Sequence, residues 1–403
     1  MTRKLINLLI ASSALTGTAQ ADLLDPAPVK LGGTDVTPQL MLVEEYDDNF
    51  YRQLNTQEFW VQILTLQVDT LTPVGADEYS AHYKVEGGFI EDSSDDNYVD
   101  QSLSLRGFWD SNSRHRFELK GGFAQEHEAR GSENFQGSKA FSIDEPPEFD
   151  QASVLARYSY GAAGARGRLD LELKGSDKTY QNLRELTERS DRTNAEGTAT
   201  FFWRLAGVWK GLVEVSHGEY DYTHDLEPRE GAIDSSDNDY THYLAGVTWE
   251  AAGKTSGTLK AGRSEKNFSD DDREDFSGNR WYGDIQWQPR TYSTFKLLTE
   301  RRTEEPPLDR GDYIAVTDWG IDWRHEWNDR IASRLHYLRS EEVFKGDPEG
   351  RRDTPEYYGF SVEYGIRRWA VVRIFYVQDD HKSNIEEFDY PHGISGLAFR
   401  ASL

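Results

Sequence analysis

Apolar and polar residues alternate with a period of two along most of the chain. Between residues 357 and 366, Tyr358, Phe360, Val362, Tyr364 and Ile366 alternate with Tyr357, Gly359, Ser361, Glu363 and Gly365. Leu103, Leu105, Gly107 and Trp109 alternate with Ser102, Ser104, Arg106 and Phe108, and Leu169, Leu171 and Leu173 with Arg168, Asp170, Glu172 and Lys174. This is the signature of a strand with one apolar and one polar face. It predicts strands over 38–47, 58–70, 77–90, 98–110, 114–126, 149–161, 165–177, 193–205, 208–220, 239–251, 253–266, 278–289, 292–303, 313–326, 329–343, 355–366, 370–379 and 391–403, about 18 in all.

The apolar face could meet the core of a soluble sandwich, or it could meet lipid. Most predicted strands run to about 10–15 residues, whereas globular strands average about 5–6 and a tilted membrane strand needs about 9–11. The connections alternate as well. Short ones fall at 111–113, Ala162-Ala163-Gly164, Ala206-Gly207, Ala252, Pro289-Arg290-Thr291 and Asn328, and long acidic ones at 91–97, 127–148, 221–238 and 269–275. Short turns on one rim and long loops on the other are the layout of an outer-membrane barrel. The fold class is therefore all-β, a transmembrane antiparallel β-barrel of 38–403 with long acidic extracellular loops. An even strand count puts both termini on the short-turn, periplasmic side.

The hairpin of 355–379 fixes a register. A two-residue Arg367-Arg368 turn would pair Val362 with Arg373 and point that guanidinium at lipid, a cost of about 2–4 kcal/mol at mid-depth. A three-residue turn including Trp369 pairs Val362 with Ile374 and turns Arg373 inward, near Glu363. The final strand alternates through Leu397, Phe399, Ala401 and Leu403, a barrel-type terminus with Leu where an aromatic is usual.

Composition narrows the rest. Charged residues make up 29% of the 403 and aromatics 13%. Past the leader, no stretch offers the ~18 uncharged apolar residues of a membrane helix. Residues 1–21 read as a cleaved export signal: Arg3 and Lys4, an apolar run from Leu5 to Gly17, and Ala19-Gln20-Ala21 before a new N-terminus at Asp22. A periplasmic tail follows over 22–37. There is no cysteine, so no disulfide and no lipid-modified N-terminal Cys. A net charge of −26 argues against nucleic acid as a partner.

The inward face carries the candidate path for a solute. Arg106, Lys120, Arg168, Lys174, Lys210, Lys260, Arg280, Lys296, Arg334 and Arg373 all fall on it, with inward acids such as Glu118, Asp170, Glu172, Glu214 and Asp322 between them. Such bases could draw in a polyanion, or they could pair with the neighbouring acids in a solvated wall. Inward Phe108, Phe202 and Tyr282 could stack on sugar rings or simply fill the barrel. The acidic loops could bridge divalent cations to lipopolysaccharide phosphates, or serve only solubility; none has the spacing of a calcium loop. No metal-ligand spacing, phosphate-binding glycine loop or catalytic set stands out, and no cofactor is expected. Ser216-His217 with Asp221, and His224-Asp225, lie near a loop without forming a recognisable motif, so the chain does not read as an enzyme.

Pro38-Gln39-Leu40, then Glu45-Tyr46-Asp47-Asp48-Asn49-Phe50-Tyr51-Arg52, leads into an apolar strand. Asp95-Asp96-Asn97-Tyr98-Val99-Asp100 enters the next hairpin in the same way, with an echo at Asp237-Asn238-Asp239-Tyr240. This opening resembles the β-barrel porin family 2, with Asp48, Asn49, Phe50 and Arg52 as its motif positions. The resemblance implies an outer-membrane channel for export of an exopolysaccharide or capsule. It further implies periplasmic and inner-membrane export components as partners, besides outer-membrane lipid, lipopolysaccharide and the barrel-assembly machinery. The alternatives are a diffusion porin for small anions or oligosaccharides, which an inward-folded 127–148 loop would favour as a constriction, and a structural or adhesive barrel.

Overall fold

The computed structural model describes residues 23–402 except 163, 225–234, 253 and 308–309. The export signal, the expected new terminus at Asp22, Ala163, Asp225, Gly253 and Leu403 lie outside the described residues.

Eighteen long strands form the wall: β1 Thr34–Asp47, β2 Phe59–Val74, β3 Asp77–Ile90, β4 Tyr98–Asn112, β5 His115–His127, β6 Glu148–Tyr160, β7 Gly167–Tyr180, β8 Arg192–Ala206, β9 Trp209–Tyr222, β10 Asn238–Ala252, β11 Thr255–Phe268, β12 Phe276–Arg290, β13 Ser293–Glu304, β14 Tyr313–Asn328, β15 Ile331–Lys345, β16 Glu356–Arg367, β17 Ala370–His381 and β18 Tyr390–Ser402. Each pairs antiparallel with its neighbours in sequence, and β1 pairs with β18 through Gln39–Asp47, so the sheet closes on itself. Closure satisfies every strand's backbone groups within the wall, as a lipid environment requires. Nine long connections follow the odd strands, at 48–58, 91–97, 128–147, 181–191, 223–237, 269–275, 305–312, 346–355 and 382–389.

The outward face is the expected apolar band. Leu103, Leu105, Leu171, Ile321 and Leu397 are exposed, and Leu173 and Ile374 are each 65% exposed. Toward the short-turn rim the band ends in aromatics: Trp209 stacks on Trp249, Phe295 on Trp323, and Tyr79 meets Trp109 edge-on. Rings of this kind sit at the membrane interface.

Most of the short turns fall one or two residues later than expected, because the strands before them run on. Ser113-Arg114, Gly207-Val208, Thr291-Tyr292 and Asp329-Arg330 are the turn residues. The slack is taken up by bulges, for example between Asp110 and Asn112, Trp287 and Arg290, and Glu326 and Asn328. The β16–β17 hairpin follows the same rule. Val362 pairs with Ile374 and Glu363 with Arg373, but Arg367 still pairs with Ala370. The extra residue is a bulge at Ile366, not a third turn residue. A bulge adds local twist and shifts the alternation by one residue beyond it, which sets Arg367 opposite Ala370.

The tail differs from the expected 22–37 span. Val29–Leu31 turns back on Thr34–Val36 as a small hairpin, so the wall begins at Thr34. Before it, the Asp25 amide donates to the Arg368 carbonyl at 2.6 Å, and Leu23 lies against Gly365 on the inward side of the rim.

Buried apolar residues form small clusters within the wall. Val43, Phe375, Val377, Ile394 and Ala398 make one on the inner face of β1, β17 and β18, with Met41 and Ile63 against it. Phe50, Tyr51, Val61, Ile90 and Tyr98 make another beneath the loops at the long-loop rim.

Candidate functional site: the lumen wall and its outer mouth

Adjacent strands place charges of opposite sign side by side on the inner face. In β4 to β8, Arg106 Nε donates to Glu118 at 2.6 Å, and Glu118 also accepts from Arg157 at 3.1 Å. Arg157 reaches Glu172 in turn. Lys174 then lies 2.7 Å from Glu172 and 3.2 Å from Glu196. The result is a ladder of alternating charge running around the wall. Lys120 lies 3.3 Å from Glu118, Arg168 2.9 Å from Asp170, Lys260 2.6 Å from Glu214, and Arg280 3.8 Å from Glu300. Arg334 pairs with Asp322, and Lys210 lies 3.9 Å from Glu250 near the short-turn rim. Lys296 stands in register with Asp322, and Arg373 with Glu363. These are the ten bases singled out from the sequence, and each stands beside an acid.

The inward aromatics are also engaged. The Arg106 guanidinium lies 5.2 Å from the Phe108 ring centre, that of Arg168 4.3 Å from Phe202, and the Lys260 ammonium 5.6 Å from Tyr282. One face of each ring is thus covered by a cation. Ser216 and His217, neighbours on β9, project to opposite faces and bond separately, to Thr198 and Thr241.

The outer mouth is built differently. The first loop, 48–58, carries the motif residues, and they join the two ends of the barrel. The Asp48 amide donates to the Gly393 carbonyl at 3.0 Å, while its carboxylate accepts the Gly393 amide at 2.6 Å. A Cβ at Gly393 would sit 2.7 Å from the Asp48 carboxylate, which would have to shift to admit it. Asn49 is fully buried; its Nδ2 donates to the carbonyls of Pro391 and Gln53 at 2.7 Å each, and its Oδ1 accepts the Gln53 amide at 3.0 Å. His392 bonds Asp47 at 3.0 Å. Arg52, at φ 54°, closes the loop in the left-handed region and is 3% exposed near Asp47 and Asp379. Phe50 anchors the aromatic cluster under the rim. These motif positions clasp the seam between β1 and β18.

The third loop, 128–147, crosses the opening. Near its own strands, Glu128 accepts from Lys178 at 2.6 Å, and Asn134 donates to Ser190 at 2.9 Å. Beside the first two loops, Arg130 binds Asp96 at 2.7 Å, the Tyr51 hydroxyl at 2.9 Å and the Ile143 carbonyl at 3.0 Å. Gln53 donates to the Gly137 carbonyl. On the far side, the Gln136 side-chain oxygen accepts from Arg351 at 2.9 Å, and the Ser138 hydroxyl bonds Glu387 at 3.1 Å. The loop joins β5 to β6, whereas Arg351 lies between β15 and β16, ten strands further round an eighteen-strand ring. It therefore reaches the opposite wall.

These latches are buried. Arg130 and Asp96 are 9% and 2% exposed. Burial pushes the Asp96 carboxyl up, but hydrogen bonds from Arg130, Ser93 and Tyr51 outweigh it and hold the group below its ordinary range. The same ion pair raises Arg130 above its usual value. Sequence reading placed this loop as a possible constriction but did not identify Arg130, Asp96, Gln136 or Arg351. Only the D-N-aromatic entry at 95–98 hinted that Asp96 was special.

The family model described as "Putative beta-barrel porin 2" matches residues 23–402. The chain belongs to this family. It is an outer-membrane β-barrel of the porin-like channel type. No curated protein matches it by sequence. Among solved structures, it is similar to the FrpB iron transporter of Neisseria meningitidis (F5-1 variant, apoprotein), at a TM-score of 0.52 and 10% identity, over 86% of this chain and 62% of that one. The outer membrane protein opdK of Pseudomonas aeruginosa matches at 0.49 and 12%, over 92% of this chain and 99% of that one. At such identities the likeness is one of fold alone.

Proposed function

We propose that this porin-family barrel is a passive conduit by which a secreted polysaccharide crosses the outer membrane. The observation that carries the reading is the inner wall: a track of ion-paired, partly exposed carboxylates, guanidiniums and ammoniums from Arg106 to Glu196, with Lys260 and Glu214 paired further round. Paired charges of this kind still offer lone pairs and N–H groups to hydroxyls, which suits a hydrated sugar chain sliding without a tight stop. Synthesis behind the polymer would supply the drive. Under this reading the third loop is a gate that the emerging chain displaces, and periplasmic and inner-membrane export components deliver the polymer to the short-turn rim.

A second reading has its own support. A loop fixed to both walls by buried contacts narrows the mouth, which favours a diffusion porin for small solutes. Deleting the gene in the native host, and assaying polysaccharide outside the cell and in the periplasm separately, tells the two apart. Export predicts loss outside with retention inside, restored by the wild-type gene. Unchanged polymer in both fractions would leave the diffusion porin standing.

A further inference from the structure

We infer that the lumen is charge-compensated, and that its cargo is an uncharged or weakly charged carbohydrate rather than a polyanion. The inference deepens the conduit reading and rests on it only for the word carbohydrate. Base-rich strands suggest an anion path when read one at a time, yet the wall joins them. Arg106, Arg157 and Lys174 alternate with Glu118, Glu172 and Glu196 at ion-pair contact across β4 to β8. Each base has its field cancelled within a few ångströms, so little positive potential is left to reach the lumen axis.

Two further observations point the same way. The aromatic faces that could stack on a sugar carry the cations themselves, so those cations are drawn back against the wall. At the mouth, exposed Asp92, Asp95, Asp271 and Asp272 on the second and sixth loops face any solute. An acidic vestibule before a neutral wall repels a polyanion and concentrates cations.

The test is the reversal potential of the purified full-length barrel in a planar lipid bilayer under a KCl gradient. It is followed by blockade with a neutral oligosaccharide and with a carboxylated one of equal length. The expected K⁺-to-Cl⁻ permeability ratio is at or above one, with the carboxylated chain no better a blocker than the neutral one. Glu118→Gln with Glu172→Gln takes both acids from Arg157 and the acid from Lys120, and leaves Arg106 and Lys174 with one acid each, Glu78 and Glu196. It should lower the ratio several-fold and favour the carboxylated chain. Arg106→Gln with Lys174→Gln should move the ratio the other way, and keeps the test decisive if the first pair fails to assemble. Where the third loop holds the wild type shut, the same recordings on a barrel with that loop shortened give the answer. Anion selectivity, or tighter blockade by the carboxylated chain, overturns the inference. A strain that exports polymer through an anion-selective barrel would sink this inference alone. A cation-preferring barrel whose deletion leaves export intact would sink the export reading alone.

Discussion

The mid-barrel wall and the outer mouth use the same side chains in opposite ways. In the wall, charges pair along a strand or with one that lies one or two strands away, and keep contact with water: Lys260 and Glu214 retain 22% and 15% of their side-chain exposure. Such pairs are individually weak, roughly 0–1 kcal/mol each. In the mouth, Arg130, Asp96, Arg351 and Asp353 are almost wholly buried; Arg130 binds Asp96 of another loop, and Arg351 binds both its near neighbour Asp353 and Gln136 of the third loop. Breaking a buried pair of this kind costs about 3–5 kcal/mol, because one charge is left behind. The wall is therefore tolerant and the mouth is not. On the proposed reading, passage through the molecule is decided at the mouth, while the wall sets which solutes are welcome.

The largest effect should come from removing the crossing element. Replacing 129–146 by a short turn should raise single-channel conductance several-fold, since the wall alone encloses a lumen wide enough for water. Next is Arg130→Ala, which strands buried Asp96. It should destabilise the latch by about 3–5 kcal/mol and appear as frequent long openings in the same recordings. Asn49→Ala removes three hydrogen bonds at the β1–β18 seam and should cost roughly 1–3 kcal/mol for each buried group left unpaired. The readout is a lower unfolding temperature on heated gels, with conductance of the surviving barrels unchanged. At the small end, Lys260→Ala in the wall should change stability by less than about 1 kcal/mol in the same gel assay.

Acid separates the two regions without mutation. Asp96 has a depressed folded pKa, so its contribution is fully present above the ordinary carboxylate value of 3.8 and is lost as pH falls through the lower folded value. Gating should be steady from neutral pH down to that point and loosen only in stronger acid. Openings that multiply between about pH 7 and 5 would show that some other group holds the loop.

What could be read in the sequence follows from the same contrast. Strand positions, the alternation of short and long connections, and the Val362–Ile374 pairing are local consequences of a period of two and of the cost of placing Arg373 in lipid. The bulge at Ile366 was not legible, because it falls at the strand end, where only Arg367 follows and no further alternation is left to show the shift. The charges of the wall were legible as inward, but their pairing needed the register between strands. The mouth was hardest. Gln136 and Arg351 meet across 215 residues, and nothing local to either announces the other. The motif around Asn49 was visible as a motif, yet its partner is the Pro391 carbonyl, a backbone atom without a sequence signature.

The most direct test of this account is single-channel recording of the full-length barrel beside the variant lacking 129–146, in the same bilayer and salt. The account predicts a wild type that is mostly closed or of low, flickering conductance, and a variant with large, steady openings. A wild type already as conductive as the variant would contradict it, because the third loop would then not govern the mouth.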